Sequence, residues 1–208
     1  MHQKLSEVNK GLLNRFNSRY YLLLAACKNF NKNLEESISI LEKLQREGIK
    51  SNQDNLNTKL NLAMYYFQLN DFKKAHRIII NLGHTDKWCE KIMGVEWVFK
   101  KNIIEVFFLY ELEKKDIAFD RIISLERTYK DLFKTKKYQR VSVFLKLIKQ
   151  IIDQPSDVHS KAFFEKVENS FEWIEIEQED LQAVSYYAWL KSKMQKREFY
   201  DVLLELLG

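Results

Sequence analysis

The chain has 208 residues, of which 46% are hydrophobic and 30% are charged, and its formal net charge is +5. This balance excludes a disordered chain, which would carry fewer apolar residues. Five glycines and one proline are too few for the many turns of a β-sandwich or an α/β fold, and they favour long helices joined by short polar loops. The composition therefore predicts an all-α fold.

The two cysteines, Cys27 and Cys89, each fall inside a helical pattern. We expect two buried thiols in a reducing compartment, which indicates a cytoplasmic protein. No apolar run reaches the roughly 18 residues that a membrane-spanning helix needs, so no membrane contact is expected.

Apolar spacing at steps of three and four predicts ten helices in chain order. They span 3–30, 34–47, 56–69, 72–82, 85–113, 116–134, 136–153, 156–172, 178–195 and 197–207. The stripe expected to face the core in the first helix comprises Leu12, Leu13, Phe16, Tyr20, Leu23, Leu24 and Cys27. Residues 51–55 are expected to form a polar loop, and Pro155 is expected to separate two helices, the second of them capped by Ser156 or Asp157.

A pattern of large and small residues recurs with a spacing of 38 positions. The first copy comprises Leu24, Ala25, Leu34, Ser37, Leu41 and Leu44, and the second comprises Leu62, Ala63, Phe72, Ala75, Ile79 and Leu82. Each copy describes two helices packed as a hairpin, with small residues where the helices cross. Tandem hairpins are the unit of helical solenoids, most of which bind other macromolecules.

The second copy has a large-small pair at Leu62-Ala63, an aromatic at Tyr66, a polar turn at Asn70, and Phe72 followed by Ala75. In these features residues 56–82 resemble a tetratricopeptide repeat. The resemblance implies one α-solenoid domain over 1–208, a right-handed superhelix of antiparallel hairpins. The clearest repeats are 18–50, 56–83 and 183–207, and the hairpins within 85–172 are irregular.

The weaker copies depart from the pattern at single positions. Lys28 replaces the aromatic in the first copy, and Val202 takes the alanine position in the last. Residues 113–117 form a candidate turn, but Asp120 stands where a small residue is expected. Residues 171–177 alternate like a strand, which would lack a partner, so an extended linker is expected there.

The resemblance implies a non-catalytic scaffold that holds a peptide or partner helix in its concave face, lined by the first helix of each hairpin. The candidate groove residues are Arg19, Lys28, Lys59, Asn61, Tyr65 and Gln68. A tyrosine-rich face around Tyr65, Tyr66, Tyr186 and Tyr187 is a further candidate lining.

No catalytic motif is present, and no enzyme activity, cofactor or metal is expected. The four histidines are scattered at His2, His76, His84 and His159. His84 and Cys89 would supply only two metal ligands, and no second pair follows.

A second hypothesis is a nucleic-acid-binding solenoid that uses the basic segment 127–149. Between residues 126 and 150 two anions, Glu126 and Asp131, accompany eight cations. These cations are Arg127, Lys130, Lys134, Lys136, Lys137, Arg140, Lys146 and Lys149. Seven anions follow at Glu165, Glu168, Glu172, Glu175, Glu177, Glu179 and Asp180.

Three interpretations of this charge distribution stay open. The basic segment is a phosphate-binding stripe with Tyr129 and Tyr138 for base stacking, or the two segments neutralise each other, or both are solvated helix faces. A third functional hypothesis is a sensor or regulatory module of a longer protein, because Leu206 and Leu207 end the chain on an apolar helix. The same apolar end suggests dimerisation through the C-terminal helix.

Overall fold

The computed structural model describes residues 10–170 and 181–208, and every regular element in them is helical, as the composition predicts. The α-helices of these residues are α1 (Lys10–Phe30), α2 (Leu34–Glu47), α3 (Asn52–Gln68), α4 (Phe72–Ile80), α5 (Asp86–Met93), α6 (Val95–Glu111), α7 (Lys115–Thr128), α8 (Lys130–Phe133), α9 (Gln139–Asp153), α10 (Lys161–Ser170), α11 (Leu181–Gln195) and α12 (Phe199–Leu207). Two 3₁₀ turns, Lys136–Tyr138 and Pro155–His159, precede α9 and α10. The strand-like residues 171–177 lie outside the described residues.

The chain divides into two compact units, Met1–Ile104 and Glu105–Gly208, and the division falls within α6. In the first unit α1 packs on α2, α2 on α3 and α3 on α4, and α1 also packs on α3. In the second unit α7 packs on α9, α11 packs on α12, and the turn Pro155–His159 contacts α9, α10 and α11. Helices thus pack mainly against their neighbours in sequence.

One backbone turn recurs at the ends of four helices. Lys32, Asn70, Glu113 and Lys196 have φ values between 54° and 64°, in the left-handed region. The following N–H donates to the carbonyl five residues earlier, at 2.9–3.0 Å, in the pairs Asn33–Lys28, Asp71–Tyr66, Lys114–Leu109 and Arg197–Ser192. This bond satisfies a carbonyl that the helix end leaves open, and it reverses the chain.

A fully buried small residue follows three of these turns at the same distance. Ser37, Ala75 and Ala118 each lie five positions after the left-handed residue and are 0% exposed. The turn predicted at 113–117 is therefore confirmed, but its small residue is Ala118 and not Asp120, which is exposed. The turn before α12 is one residue longer, so that Val202, also 0% exposed, lies six positions after the left-handed residue.

Several predicted helix boundaries are wrong for local reasons. α3 begins within the predicted loop, because Ser51 Oγ accepts a hydrogen bond from the Asp54 N–H at 3.3 Å and caps the helix. The predicted helix 85–113 is broken at Gly94, whose φ is +87°. α10 is capped by Ser160, which accepts from the Phe163 N–H at 3.1 Å, and not by a residue of the preceding 3₁₀ turn.

α1 exposes the apolar face that was predicted to be buried. Phe16, Tyr20 and Leu23 are 73%, 53% and 68% exposed, and Cys27 is exposed as well. Together with Phe30, which is 39% exposed, these side chains form a surface that we call the α1 stripe. The expected buried thiol at Cys27 is therefore wrong, and the side chains of residues 12 and 13 lie outside the described part.

The face of α1 that is buried carries small and polar residues. Ser18, Ala25 and Asn29 are 6%, 0% and 1% exposed. Small side chains let α2 and α3 approach α1 closely, and the apolar residues on the other side are left facing solvent. The second cysteine, Cys89, is 0% exposed, as predicted.

The second unit has an aromatic core. Trp189 stacks on Phe107 with ring centroids 4.4 Å apart, and Tyr186 stacks on Phe144 at 4.8 Å. Phe107 and Phe144 meet edge to face at 6.0 Å, which joins the two pairs. Such contacts stabilise a core by about 1 kcal/mol each beyond area burial.

Replacing Ala75 by leucine tests the role of the small residue that follows each turn. The added side chain has no room between α4 and its neighbours, so Ala75→Leu should lower the free energy of unfolding by about 1–3 kcal/mol. Lys73→Leu introduces the same residue at an exposed position of α4 and should change it by less than about 0.5 kcal/mol. Urea unfolding followed by far-UV circular dichroism measures both. Equal effects of the two changes would contradict the packing role.

Candidate functional site

The candidate groove residues lie on α1 and α3, two helices that pack on each other. Arg19 is exposed, whereas Lys28, Lys59 and Asn61 are half-buried. Tyr65 and Gln68, however, are only 7% and 9% exposed. The structure therefore brings these residues onto neighbouring helices, but leaves only some of them accessible to a partner.

Two of the candidate residues are engaged within the protein. Asn29 Nδ2 of α1 donates to Gln68 Oε1 of α3 at 2.5 Å, and both side chains are buried. Lys28 Nζ lies 2.9 Å from Glu36 Oε2 on α2. Gln68 and Lys28 thus contact neighbouring helices, which leaves Arg19 and the half-buried residues of α3 for an external ligand.

A polar cluster joins α2, α3 and α4 around Tyr66. The Tyr66 hydroxyl donates to Glu42 Oε1 and accepts from Lys74 Nζ at 2.5 Å. Lys74 Nζ also lies 3.2 Å from Glu42 Oε1 and 4.0 Å from the centroid of the Tyr66 ring. Tyr66 is 6% exposed, so the cluster contributes to packing and is not an open groove lining.

The contacts of this cluster shift the pKa values of its members. The hydrogen bond from Tyr66 lowers the pKa of Glu42, because it stabilises the carboxylate. Burial raises the pKa of the Tyr66 hydroxyl, and the hydrogen bond to Tyr66 raises the pKa of Lys74. All three groups therefore keep their ordinary charge states at neutral pH.

Tyr186 and Tyr187 of the second unit also make contacts within the protein. Tyr186 is half-buried and stacks within the aromatic core, as described above. The Tyr187 hydroxyl donates to Glu168 Oε1 at 2.6 Å, and burial raises the pKa of this hydroxyl.

Two buried polar residues on α6 are not indicated by the sequence pattern. Lys101 and Asn102 are 7% and 1% exposed. They contact the two carboxylate oxygens of Asp86, Lys101 Nζ at 2.7 Å and Asn102 Nδ2 at 3.1 Å. Because nine of the eleven other residues in 97–109 are apolar, no periodic pattern indicates a polar contact there. Burial raises the pKa of the Cys89 thiol beside this group, which keeps the thiol protonated and unreactive.

The histidine and cysteine residues do not form a metal site in the described part of the chain. No group of three or more His, Cys, Asp or Glu residues in it is arranged to hold a metal ion. The His84 ring stacks on Trp88 with centroids 3.7 Å apart, and Cys89 is fully buried. His159 Nδ1 lies 3.2 Å from the Met194 carbonyl oxygen.

Seven of the eight cations of the basic segment are exposed, and the eighth, Lys149, is half-buried. We use the name basic surface for the six candidate residues Arg127, Lys130, Lys134, Lys136, Lys137 and Arg140. Both anions of the segment are paired locally. Glu126 Oε2 lies 2.7 Å from Lys149 Nζ, and Asp131 Oδ1 lies 2.8 Å from Lys134 Nζ.

The two tyrosines of this segment are too buried to stack on bases. Tyr129 and Tyr138 are each 8% exposed, so the predicted role in base stacking is wrong. Of the seven anions at 165–180, five lie outside the described residues. Glu165 Oε1 lies 3.6 Å from Lys161 Nζ, and Glu168 accepts from Tyr187.

Comparisons with known proteins add no relative. No protein-family model, no curated protein and no solved structure matches the chain. Across residues 10–170 and 181–208, no helix combines the length and the apolar character that crossing a membrane requires. The function has therefore to be inferred from the residues and contacts of this chain.

Replacing Tyr66 by phenylalanine tests the polar cluster through its pH dependence. Since the folded-state pKa of Glu42 is lowered, its contribution to stability is present above about pH 4–5 and is lost as the pH falls below that range. Tyr66→Phe should lower the free energy of unfolding at pH 7 by about 1 kcal/mol and make its decrease toward pH 3 shallower.

Urea unfolding at pH 7, 5, 4 and 3 measures this effect. The control is Tyr20→Phe, which removes a hydroxyl from a tyrosine that is 53% exposed and should leave the profile unchanged. A Tyr66→Phe profile parallel to that of the wild type would show that Tyr66 does not govern the titration of Glu42.

Proposed function

We propose that the chain is a non-catalytic protein-binding module built from hairpins of the tetratricopeptide type. The observation that carries the proposal is the recurrence of one hairpin geometry at the sequence spacing of 38 residues. Lys32 and Asn70 both take the left-handed conformation, and Ser37 and Ala75 are both fully buried five positions later. In solenoids of such hairpins a continuous surface of successive helices binds the ligand.

The proposed binding face is formed by α1 and α3, the first helices of the two hairpins. Arg19 on α1 and Lys59 on α3 supply positive charge. Asn61 points to a different side of α3 from Lys59, because residues two positions apart do not share a helix face. The two cations suit an extended acidic segment or a chain terminus with its free carboxylate. The affinity would rest on a few such anchors and on charge complementarity.

A charge reversal at Lys59 tests this face. The partner is first identified by affinity capture from an extract of the source cells, treated with nuclease, and its binding is then measured by calorimetry. Lys59→Glu should weaken binding at least about tenfold, which corresponds to about 1.4 kcal/mol. Lys73→Glu, an equal charge change at an exposed site on α4, should change binding less than about twofold.

Equal losses for the two variants would mean that net charge and not the α1–α3 face governs binding. If the captured partners are lost after nuclease treatment, this would count against a protein ligand and favour the second candidate.

The second candidate is binding of a polyanion such as single-stranded nucleic acid at the basic surface. It is favoured by the exposure of all six candidate cations and by the pairing of Glu126 with Lys149, which lies outside the basic surface. Phosphates would then be bound through charge, because Tyr129 and Tyr138 are buried. Such binding tracks the backbone without base recognition and weakens steeply as salt is raised.

Reversing four charges of the basic surface tests this candidate. The probe is an oligonucleotide of about 16 nucleotides, and its fluorescence anisotropy is followed at several salt concentrations. Changing Lys134, Lys136, Lys137 and Arg140 to glutamate should abolish binding and its salt dependence. The control changes Lys50, Lys73, Lys87 and Lys91, all exposed, to glutamate and should retain most of the affinity. Loss of affinity in both quadruple variants to the same extent would contradict a localised site.

A further inference from the structure

The α1 stripe concentrates exposed apolar surface on one helix face. Of the nine large apolar residues that are exposed in the described residues, four lie in this stripe, and the other five are spread over other helices and turns. The stripe is continuous, since Phe16, Tyr20, Leu23, Cys27 and Phe30 follow one another at steps of four, three, four and three. An apolar patch of this kind on a folded protein indicates a contact site.

The spacing of the stripe specifies the shape of what covers it. Alternating steps of three and four place side chains along the seam that a second helix occupies in a coiled coil. α1 has 21 residues and is therefore about 31 Å long. The residues that border the seam are Asn17, Arg19, Leu24 and Ala26, which supply one cation and no anion. The contact is therefore apolar, with little charge to select a partner of opposite sign.

The arrangement of the stripe matches a second copy of the same chain. A two-fold symmetric contact requires the same patch on both subunits. Leu23 lies at the centre of the stripe, and Phe16 and Phe30 lie seven positions away on either side. An aromatic residue therefore stands at each end of the stripe, whether a second stripe runs parallel or antiparallel to it. Two copies of the stripe can pack on each other.

The area of the stripe is sufficient for such a contact. A fully covered aromatic side chain buries about 150–250 Å², so the partly exposed side chains of two stripes bury on the order of 1,000 Å² together. This is about the lower bound for a specific interface. At this size we expect a dissociation constant in the micromolar range.

We propose that the α1 stripe is a homodimer contact, in which α1 lies along α1 of a second copy with Leu23 near the centre. The α1 stripe and the proposed ligand-binding face meet at Arg19, which borders the seam, but the test of the dimer contact requires no ligand. The proposal places the dimer contact on α1, whereas the apolar end of the sequence suggested the C-terminal helix. On α12, Val202 and Leu203 are buried, and Leu206 and Leu207 are half-buried, so α12 offers less apolar surface.

Sedimentation velocity over a range of protein concentrations tests the proposal. The wild-type chain should convert from monomer to dimer as concentration rises, and Leu23→Glu should remain monomeric. Leu23 is 68% exposed, so this change should leave the far-UV circular dichroism spectrum unaltered. The control is Ile80→Glu on α4, where the wild-type side chain is 59% exposed, and this variant should dimerise like the wild type.

The reactivity of Cys27 gives a second and independent measurement. In the dimer Cys27 is covered, so its rate of reaction with a thiol reagent should fall as the wild-type concentration rises and stay high in Leu23→Glu. Cys89, 0% exposed, should react slowly in both. A wild-type chain that is monomeric at about 1 mM, or a Leu23→Glu variant that dimerises like the wild type, would overturn the proposal.

Discussion

The hairpins of this protein depend on a residue held in the left-handed backbone region at the end of each first helix. An L-residue other than glycine pays about 1–2 kcal/mol for this conformation, and Lys32, Asn70 and Glu113 all adopt it. The cost is offset because the turn satisfies open helix carbonyls and places a fully buried small residue against the neighbouring helix. The distance between packed helices, about 8–10 Å, depends on the side chains at the contact and is shortest where they are small, so the turn and the small residue act together.

This close approach decides which face of α1 is buried. Ser18 and Ala25 are buried on the helix that packs on α2 and α3, although larger apolar side chains on the other face would release more water on burial. The α1 stripe is the consequence, because a helix that packs through its small residues leaves its large ones outside. Intramolecular packing and the proposed association thus use opposite faces of one helix, and a change to the stripe need not disturb the fold.

Polar contacts between helices add specificity to the apolar packing. Asn29 donates to Gln68 across α1 and α3, Trp97 donates to Asn57 at 3.0 Å, and Lys101 is paired with Asp86. Breaking one buried partner of such a pair is costly, since the other group is left without a hydrogen bond. A shifted register of the helices would therefore be penalised by unsatisfied polar groups as well as by steric overlap.

The sequence by itself determined the all-α class, the hairpin turns near Asn70 and Glu113, and the buried small residue at Ala75. These features are local, because they follow from helix periodicity and from the residues beside each turn. Only the tertiary structure decided that the apolar stripe of α1 is exposed and that Tyr65, Tyr129 and Gln68 are buried. Periodicity shows that residues share a helix face but not what packs against that face, and burial depends on neighbours brought together from distant parts of the sequence.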